Sequence, residues 1–223
     1  MDDLIALRAL GALITYPKPE LIAALPEIGA VLARSLLLPR AERERLDALI
    51  AEMRAADAID LEGRYVELFD RGRRTSLHLF EHVHGESRER GAAMVELNQI
   101  YASAGYPLAA KELPDYLPVV LEYLSCRNLA EARAMLGDCA HVLRTIGEAL
   151  MQRGSSYGAV FAALLAVAQE PGLDGSKASE APAHEPIDED WAEIPAFAKP
   201  DAGQAADAAQ VVPIRFVSRK PLA

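Results

Sequence analysis

The sequence predicts an all-α fold, with a single helical bundle over residues 1–170 and a disordered tail over 171–223. Through most of the first 170 positions apolar residues recur at spacings of three and four, the period of helices that bury one face. No stretch there alternates apolar and polar residues between hairpin turns, as paired strands would require. Beyond Pro171 the pattern stops: the tail holds seven of the fourteen prolines, few large apolar residues and no sustained period. Such a segment buries too little to offset the entropy lost on ordering it.

Taken in order, Leu4, Leu7, Gly11 and Ile14 mark one face of a helix over 2–15, stopped by Tyr16-Pro17-Lys18-Pro19. A second helix spans 19–36, kinked or delayed at Pro26, and a charge-rich third spans 40–58. A short helix over 60–69 ends in the turn Asp70-Arg71-Gly72-Arg73-Arg74, whose arginines read as a solvated turn bridged to nearby carboxylates. Another short helix is predicted over 76–84, closing at Gly85, and a longer one over 87–104, closed by Gly105. Pro118 suits the first turn of a helix over 118–126. Asn128 and Glu131 form a capping box for a long central helix in which Leu129, Ala132, Leu136, Cys139, Leu143, Ile146 and Leu150 make one stripe. The last helix, over 156–169, presents a wide apolar face with Tyr157, Val160, Phe161, Leu164 and Leu165. Within the tail, Asp188-Glu189-Asp190-Trp191 and the Val211 to Val217 run are islands in an otherwise solvated chain.

Composition narrows the function. A net charge of −10 argues against a nucleic-acid ligand, which draws on a basic stripe, and favours a cationic partner. Cys126 and Cys139 lack CxxC spacing, so neither a zinc site nor a disulfide framework is indicated and a reducing cytoplasm fits. No apolar run reaches membrane-spanning length, and Asp2 and Asp3 do not suit a signal peptide. There is no GxSxG elbow and no phosphate-binding glycine loop, and no cofactor is expected.

Two constellations remain. Glu67, Glu81-x-x-His84, Glu122 and Asp138-x-x-His141 follow the order of carboxylate-bridged dinuclear bundles, and His78 and His82 share a face if 76–84 is helical; this is the alternative reading, a metal-dependent enzyme. Against it stand the Asp in the second motif and the closeness of Glu67 to Glu81 along the chain. The other constellation is a binding surface. Tyr65, Leu68 and Phe69 lie on one short helix, and Glu112, Asp115, Tyr116 and Leu117 suggest an acidic, aromatic-edged rim over an apolar groove of the kind that takes amphipathic peptides. Asp115 also precedes a helix N-terminus, where its charge is favourable for structural reasons alone.

The stretches FDRGRRTSLHLFEHVHGESRERGAAMVEL, AGYPL and ELPDYLPVVLEYLS resemble the NarJ family, the assembly chaperones of respiratory nitrate reductase, related to the TorD and DmsD redox-enzyme maturation chaperones. The resemblance is dense over 60–127, looser over the rest of 1–170, and does not cover the tail. It implies a cytoplasmic, non-enzymatic, TorD-like helical chaperone of anaerobic nitrate respiration. Such a protein binds the apo catalytic (alpha) subunit, including its N-terminal peptide, and holds it competent for molybdenum cofactor and iron–sulfur insertion, without joining the finished enzyme. The family's Tyr-x-x-x-Phe-Asp element falls on Tyr65, Phe69 and Asp70, and its Glu-x-Pro-Asp element on Glu112, Pro114 and Asp115. Together with Tyr116 and Leu117 these are the expected peptide-binding residues. Where the wider chaperone family commonly has His after that Asp, this chain has Tyr116.

Overall fold

The helix buried most completely is the last one, Gly158–Ala168, where Val160, Phe161, Ala163, Leu164 and Leu165 are closed off on every side. A helix apolar all round belongs at the centre of a bundle, and in this computed structural model the helices over 5–13, 40–55, 129–138 and 140–152 pack against it. Residues 2–84, 88–108 and 112–174 are described; the tail islands at 188–191 and 211–217, and Gly85, lie outside them.

Ten α-helices occur among the described residues, and no strand. A 3₁₀ turn, Asp2–Leu4, leads into α1 (Ile5–Leu13). Then follow α2 (Pro19–Arg34), α3 (Arg40–Ala55) and α4 (Ala58–Tyr65), the last capped by Asp57, whose carboxylate accepts from the Ile59 N–H at 2.9 Å. A π turn, Val66–Asp70, and a 3₁₀ turn, Arg73–Thr75, lead to α5 (Glu81–His84). The remaining helices are α6 (Arg88–Ser103), α7 (Leu117–Ser125), α8 (Leu129–Asp138), α9 (Ala140–Gln152) and α10 (Gly158–Ala168). None is long and apolar enough to cross a membrane.

Helix α1 packs closely against α7. Gly11 makes it possible: a Cβ there would lie 3.3 Å from Leu121 Cβ and 3.4 Å from the Pro118 carbonyl. Pro118 does stand in the first turn of α7, as its fixed φ and missing donor suggest. Pro26 lies inside α2 on an exposed face, so the helix runs on to Arg34.

Three expectations are corrected. The stripe from Ala132 to Leu150 is core, but it is carried by two helices rather than one long central helix. Cys139, at φ −104° and ψ 9°, ends α8 and starts α9, and its Sγ contacts the Met135 and Leu136 carbonyls at 3.3 and 3.4 Å. Residues 76–80 are not helical, so His78 and His82 do not share a helix face. Their backbone groups bond across the fold instead: Leu117 N–H donates to the Leu77 carbonyl at 2.8 Å, and Leu79 N–H to the Asp115 carbonyl at 3.1 Å. Finally, α4 does not continue to 69. Arg71 N–H donates to the Val66 carbonyl, closing the wider π turn.

The Asn128 cap forms, its side chain accepting from the Glu131 N–H at 2.9 Å. The reciprocal half of the box does not, because the Glu131 carboxylate is taken by Arg127 and the Tyr123 hydroxyl. At the other end of the bundle, Gln169 adopts the left-handed conformation that ends α10. The chain stays on the body past Glu170: Arg144 donates to the Pro171 carbonyl at 2.9 Å, and Leu173 packs at Gly147.

Candidate functional site

Two irregular segments, 76–80 and 112–117, meet side by side and are fastened by one carboxylate. Asp115 is 0% exposed, and its Oδ2 accepts from the Phe80 N–H at 3.1 Å. Its Oδ1 faces His78 Nδ1 at 3.3 Å, and the His78 ring lies 5.3 Å from that of Tyr116. The hydrogen bond to Asp115 raises the His78 pKa above its ordinary value, outweighing the opposing effect of burial. Asp115 is therefore the fastening of the clamp and not part of an exposed rim. A carboxylate at this depth is held by its partners.

The expected residues do come together around this clamp, at different depths. Tyr65, Phe69 and Leu117 are core. The Tyr65 hydroxyl donates to the Ile14 carbonyl at 3.1 Å, so at 3.4 Å the Tyr116 hydroxyl donates to Tyr65. Burial pushes the Tyr65 and Tyr116 pKa values up, which keeps both phenols protonated as donors. Rings continue from Tyr16 through Tyr65 and Phe69 to Tyr157 at centroid spacings of 5.5, 5.0 and 5.2 Å. Asp70 and Glu112 are exposed beside this cluster, and each adds negative potential at Tyr116. These two carboxylates form the acidic edge.

Pro114 and Leu113 lead from the clamp into an open groove of about 640 Å³, whose other wall is Arg90, Gly91, Met94, Val95 and Asn98 of α6. Val95 is 59% exposed and Leu113 43%, so two large apolar side chains face solvent here. The Tyr101 hydroxyl donates to the Pro114 carbonyl at 2.8 Å and holds the second wall in place. Arg90 is anchored by Glu81 at 3.0 Å, and Glu81 in turn accepts from the Ser76 hydroxyl, so the groove and the clamp share one polar network. The Arg90 Nε is buried without a hydrogen-bond partner, and the half-buried guanidinium stands at the groove wall, held there by Glu81.

The α6 residues were not expected as site residues. Leu97 and Tyr101 are buried and Met94 half-buried along one side of this helix, and the signal for a second face was Val95, an apolar residue off that stripe. The metal-like set is dispersed. Glu67 is exposed on the π turn, Glu122 pairs with Arg8 at 3.2 Å, Asp138 ends α8, and His141 lies on α9 with its pKa lowered by burial. The His84 side chain lies outside the described residues, and among those described no three His, Cys, Asp or Glu side chains converge as a metal site would need. Cys139, fully buried, has its thiol pKa pushed up to about 12 and is inert core.

The nitrate reductase delta subunit family matches residues 36–163. The chain is 40% identical over 186 residues to the nitrate reductase molybdenum cofactor assembly chaperone NarJ of Escherichia coli (strain K12), covering 83% of this chain and 78% of that protein. It is 41% identical over 162 residues to the probable nitrate reductase molybdenum cofactor assembly chaperone NarW of the same strain, covering 73% and 67%. To the probable chaperone NarJ of Bacillus subtilis (strain 168) it is 30% identical over 172 residues, covering 77% and 92%.

Proposed function

The chain belongs to the nitrate reductase delta subunit family, and from that membership we propose that it is a molybdenum cofactor assembly chaperone for a respiratory nitrate reductase. Its client is the apo catalytic (alpha) subunit, bound in the cytoplasm through contacts that include the N-terminal peptide. It keeps that subunit competent for molybdenum cofactor and iron–sulfur insertion and leaves before the enzyme is complete. It performs no covalent chemistry itself. The working unit is residues 1–174, a few positions longer than the helices alone, because Leu173 packs on α9.

One observation carries the binding mode: the groove beside the clamp, with exposed Val95 and Leu113 on its walls and the Arg90 side chain among its lining. An amphipathic peptide lays its apolar face along such a groove. Arg90 receives a peptide carbonyl or carboxylate, and Asp70, Glu112 and the Tyr116 ring orient basic residues at the edge. Pro114 lines the passage between the two. Tyr65, Phe69, Asp115 and Leu117 act from below by fixing the clamp that holds residues 113–116.

Binding only the unassembled client stabilises that state by mass action. Once the subunit closes around its cofactor, its preferred state no longer offers the peptide and the chaperone is released. Calorimetric titration of the full chain with a synthetic N-terminal peptide of the alpha subunit tests the reading. Val95→Asp and Leu113→Asp should each weaken binding about tenfold or more, because a bound peptide would bury an unpaired charge. Both positions are exposed, so melting temperature should hold. Unchanged affinity in both folded variants would remove the groove from the account.

A further inference from the structure

The turn after the π element carries a cluster of positive charge that the chaperone reading leaves unused. Arg71 and Arg74 are exposed on it, and Arg153, just past α9, lies over it. A Cβ at Gly72 would stand 2.6 Å from Thr75 Oγ1, 3.1 Å from the Leu68 carbonyl and 3.3 Å from Arg153 Nη1, so the glycine lets the turn close tightly with the guanidinium beside it. Thr75 Oγ1 donates to the Leu68 carbonyl and fixes the turn. Among the described residues Arg71, Arg74 and Arg153 have no carboxylate partner, whereas nearby Arg64 is paired with Glu52 at 2.7 Å and Arg90 with Glu81 at 3.0 Å. The sequence-based expectation of a turn bridged to carboxylates is not met at Arg71 and Arg74. The neighbouring acid, Asp70, contributes its potential to Tyr16, Tyr65 and Tyr116. In a chain of net charge −10, two exposed arginines on one turn, with a third reaching over it at Gly72, make a surface suited to an anion.

We propose that the occupant is the acidic island Asp188-Glu189-Asp190-Trp191 of the same chain. Charge complementarity and the route of the chain both select it. Arg144 holds the Pro171 carbonyl and Leu173 packs at Gly147, so the chain leaves the body alongside α9. Arg153, the residue that ends that helix, lies six positions beyond Gly147, about 9 Å away at the α-helical rise. Fourteen residues separate Asp174 from Asp188, and a segment of that length has a reach on the order of 20 Å, enough for the cluster. A tether of this kind holds the acids at an effective concentration on the order of millimolar, which suits individually weak, exposed ion pairs. Three consecutive carboxylates meet three guanidinium groups, and the Trp191 ring supplies a face on which an arginine stacks.

Trp191 is the one tryptophan in the chain, so its fluorescence reads docking directly. At low salt, acrylamide quenching of Trp191 in the full chain should be about twofold weaker than in a free peptide of residues 184–195, as when roughly half the molecules are docked. Salt at about 0.5 M should abolish the difference, since exposed pairs are then screened. Reversing the tail charges (Asp188→Arg, Glu189→Arg, Asp190→Arg) leaves the helical body untouched and should likewise abolish it. Combining that reversal with Arg71→Glu, Arg74→Glu and Arg153→Glu should restore protection. The proposal fails if Trp191 is as accessible at low salt as in the free peptide, or if tail reversal leaves its protection unchanged. It also fails if protection disappears on dilution, which would place the island on a second copy. Titration with inorganic phosphate completes the test: displacement of Trp191 supports the proposal, and phosphate binding without any change at Trp191 assigns the cluster to a small anion instead.

Discussion

Replacing Asp115 by alanine should be among the costlier single changes at the candidate site. The side chain is fully buried, its Oδ2 accepts from the Phe80 N–H at 3.1 Å and its Oδ1 faces His78 Nδ1 at 3.3 Å. A hydrogen bond to a charged acceptor contributes about 1.5–3 kcal/mol, and the longer His78 contact adds less, so Asp115→Ala should cost about 2–4 kcal/mol. For a body of this size that corresponds to a fall in melting temperature of about 5–15 °C. The backbone bonds Leu79 to Asp115 and Leu117 to Leu77 do not depend on the side chain, so the clamp should loosen rather than vanish. Asp115→Asn keeps an acceptor for Phe80 and most of the shape, and should lose no more than about half as much. Urea denaturation followed by far-UV circular dichroism gives both values. An alanine variant within about 0.5 kcal/mol of wild type, or an asparagine variant as damaging as alanine, would refute the view that this carboxylate fastens the clamp.

Three further outcomes follow from the packing. Leu136→Ala and Leu143→Ala, both at fully buried positions on α8 and α9, should each cost about 2–5 kcal/mol in denaturant unfolding. Leu173→Ala should cost about 1–2 kcal/mol, since its half-buried side chain fills the space at Gly147, and a chain ending at Glu170 should be less stable than one ending at Asp174. His78 has its pKa raised above 6.5 in the fold, so its contribution is complete below pH 6.5 and is lost as pH rises through the folded value. The stability gap between wild type and His78→Gln, measured by urea titration at several pH values, should therefore be wider at pH about 6 than at pH about 8.

Most of the helices were legible because their periodicity is strong and their ends are marked chemically: Pro19 and Pro118 in first turns, Asn128 as a cap, and Gly105 at φ +86° after α6. Failures came where a distant partner overrode a local preference. Ser76 to Phe80 carries helix-compatible residues, yet its backbone bonds to 115–117, about forty positions away, and no local pattern announces that. The break at Cys139 was hidden because the spacing of three and four runs straight through it. Tyr65, Phe69, Asp115 and Leu117 were singled out and do gather, but spacing carries no information about depth, so Asp115 was expected on the rim although it is buried. The α6 wall was missed for the opposite reason: an exposed Val95 in a helix is common, and only the approach of Leu113 and Pro114 makes a groove of it.

The chaperone assignment is tested most directly by the molybdenum content of the reductase itself. The alpha subunit would be purified from anaerobically grown, nitrate-supplied cells lacking this chain, and from the same cells carrying either the wild-type chain or the Val95→Asp, Leu113→Asp double variant. The account predicts that alpha polypeptide is made in all three, that molybdenum per subunit is severely depleted without the chain, and that only the wild type restores it. Purified, complete reductase should contain none of the chain. A full molybdenum complement in the deletion strain would contradict the account at its centre.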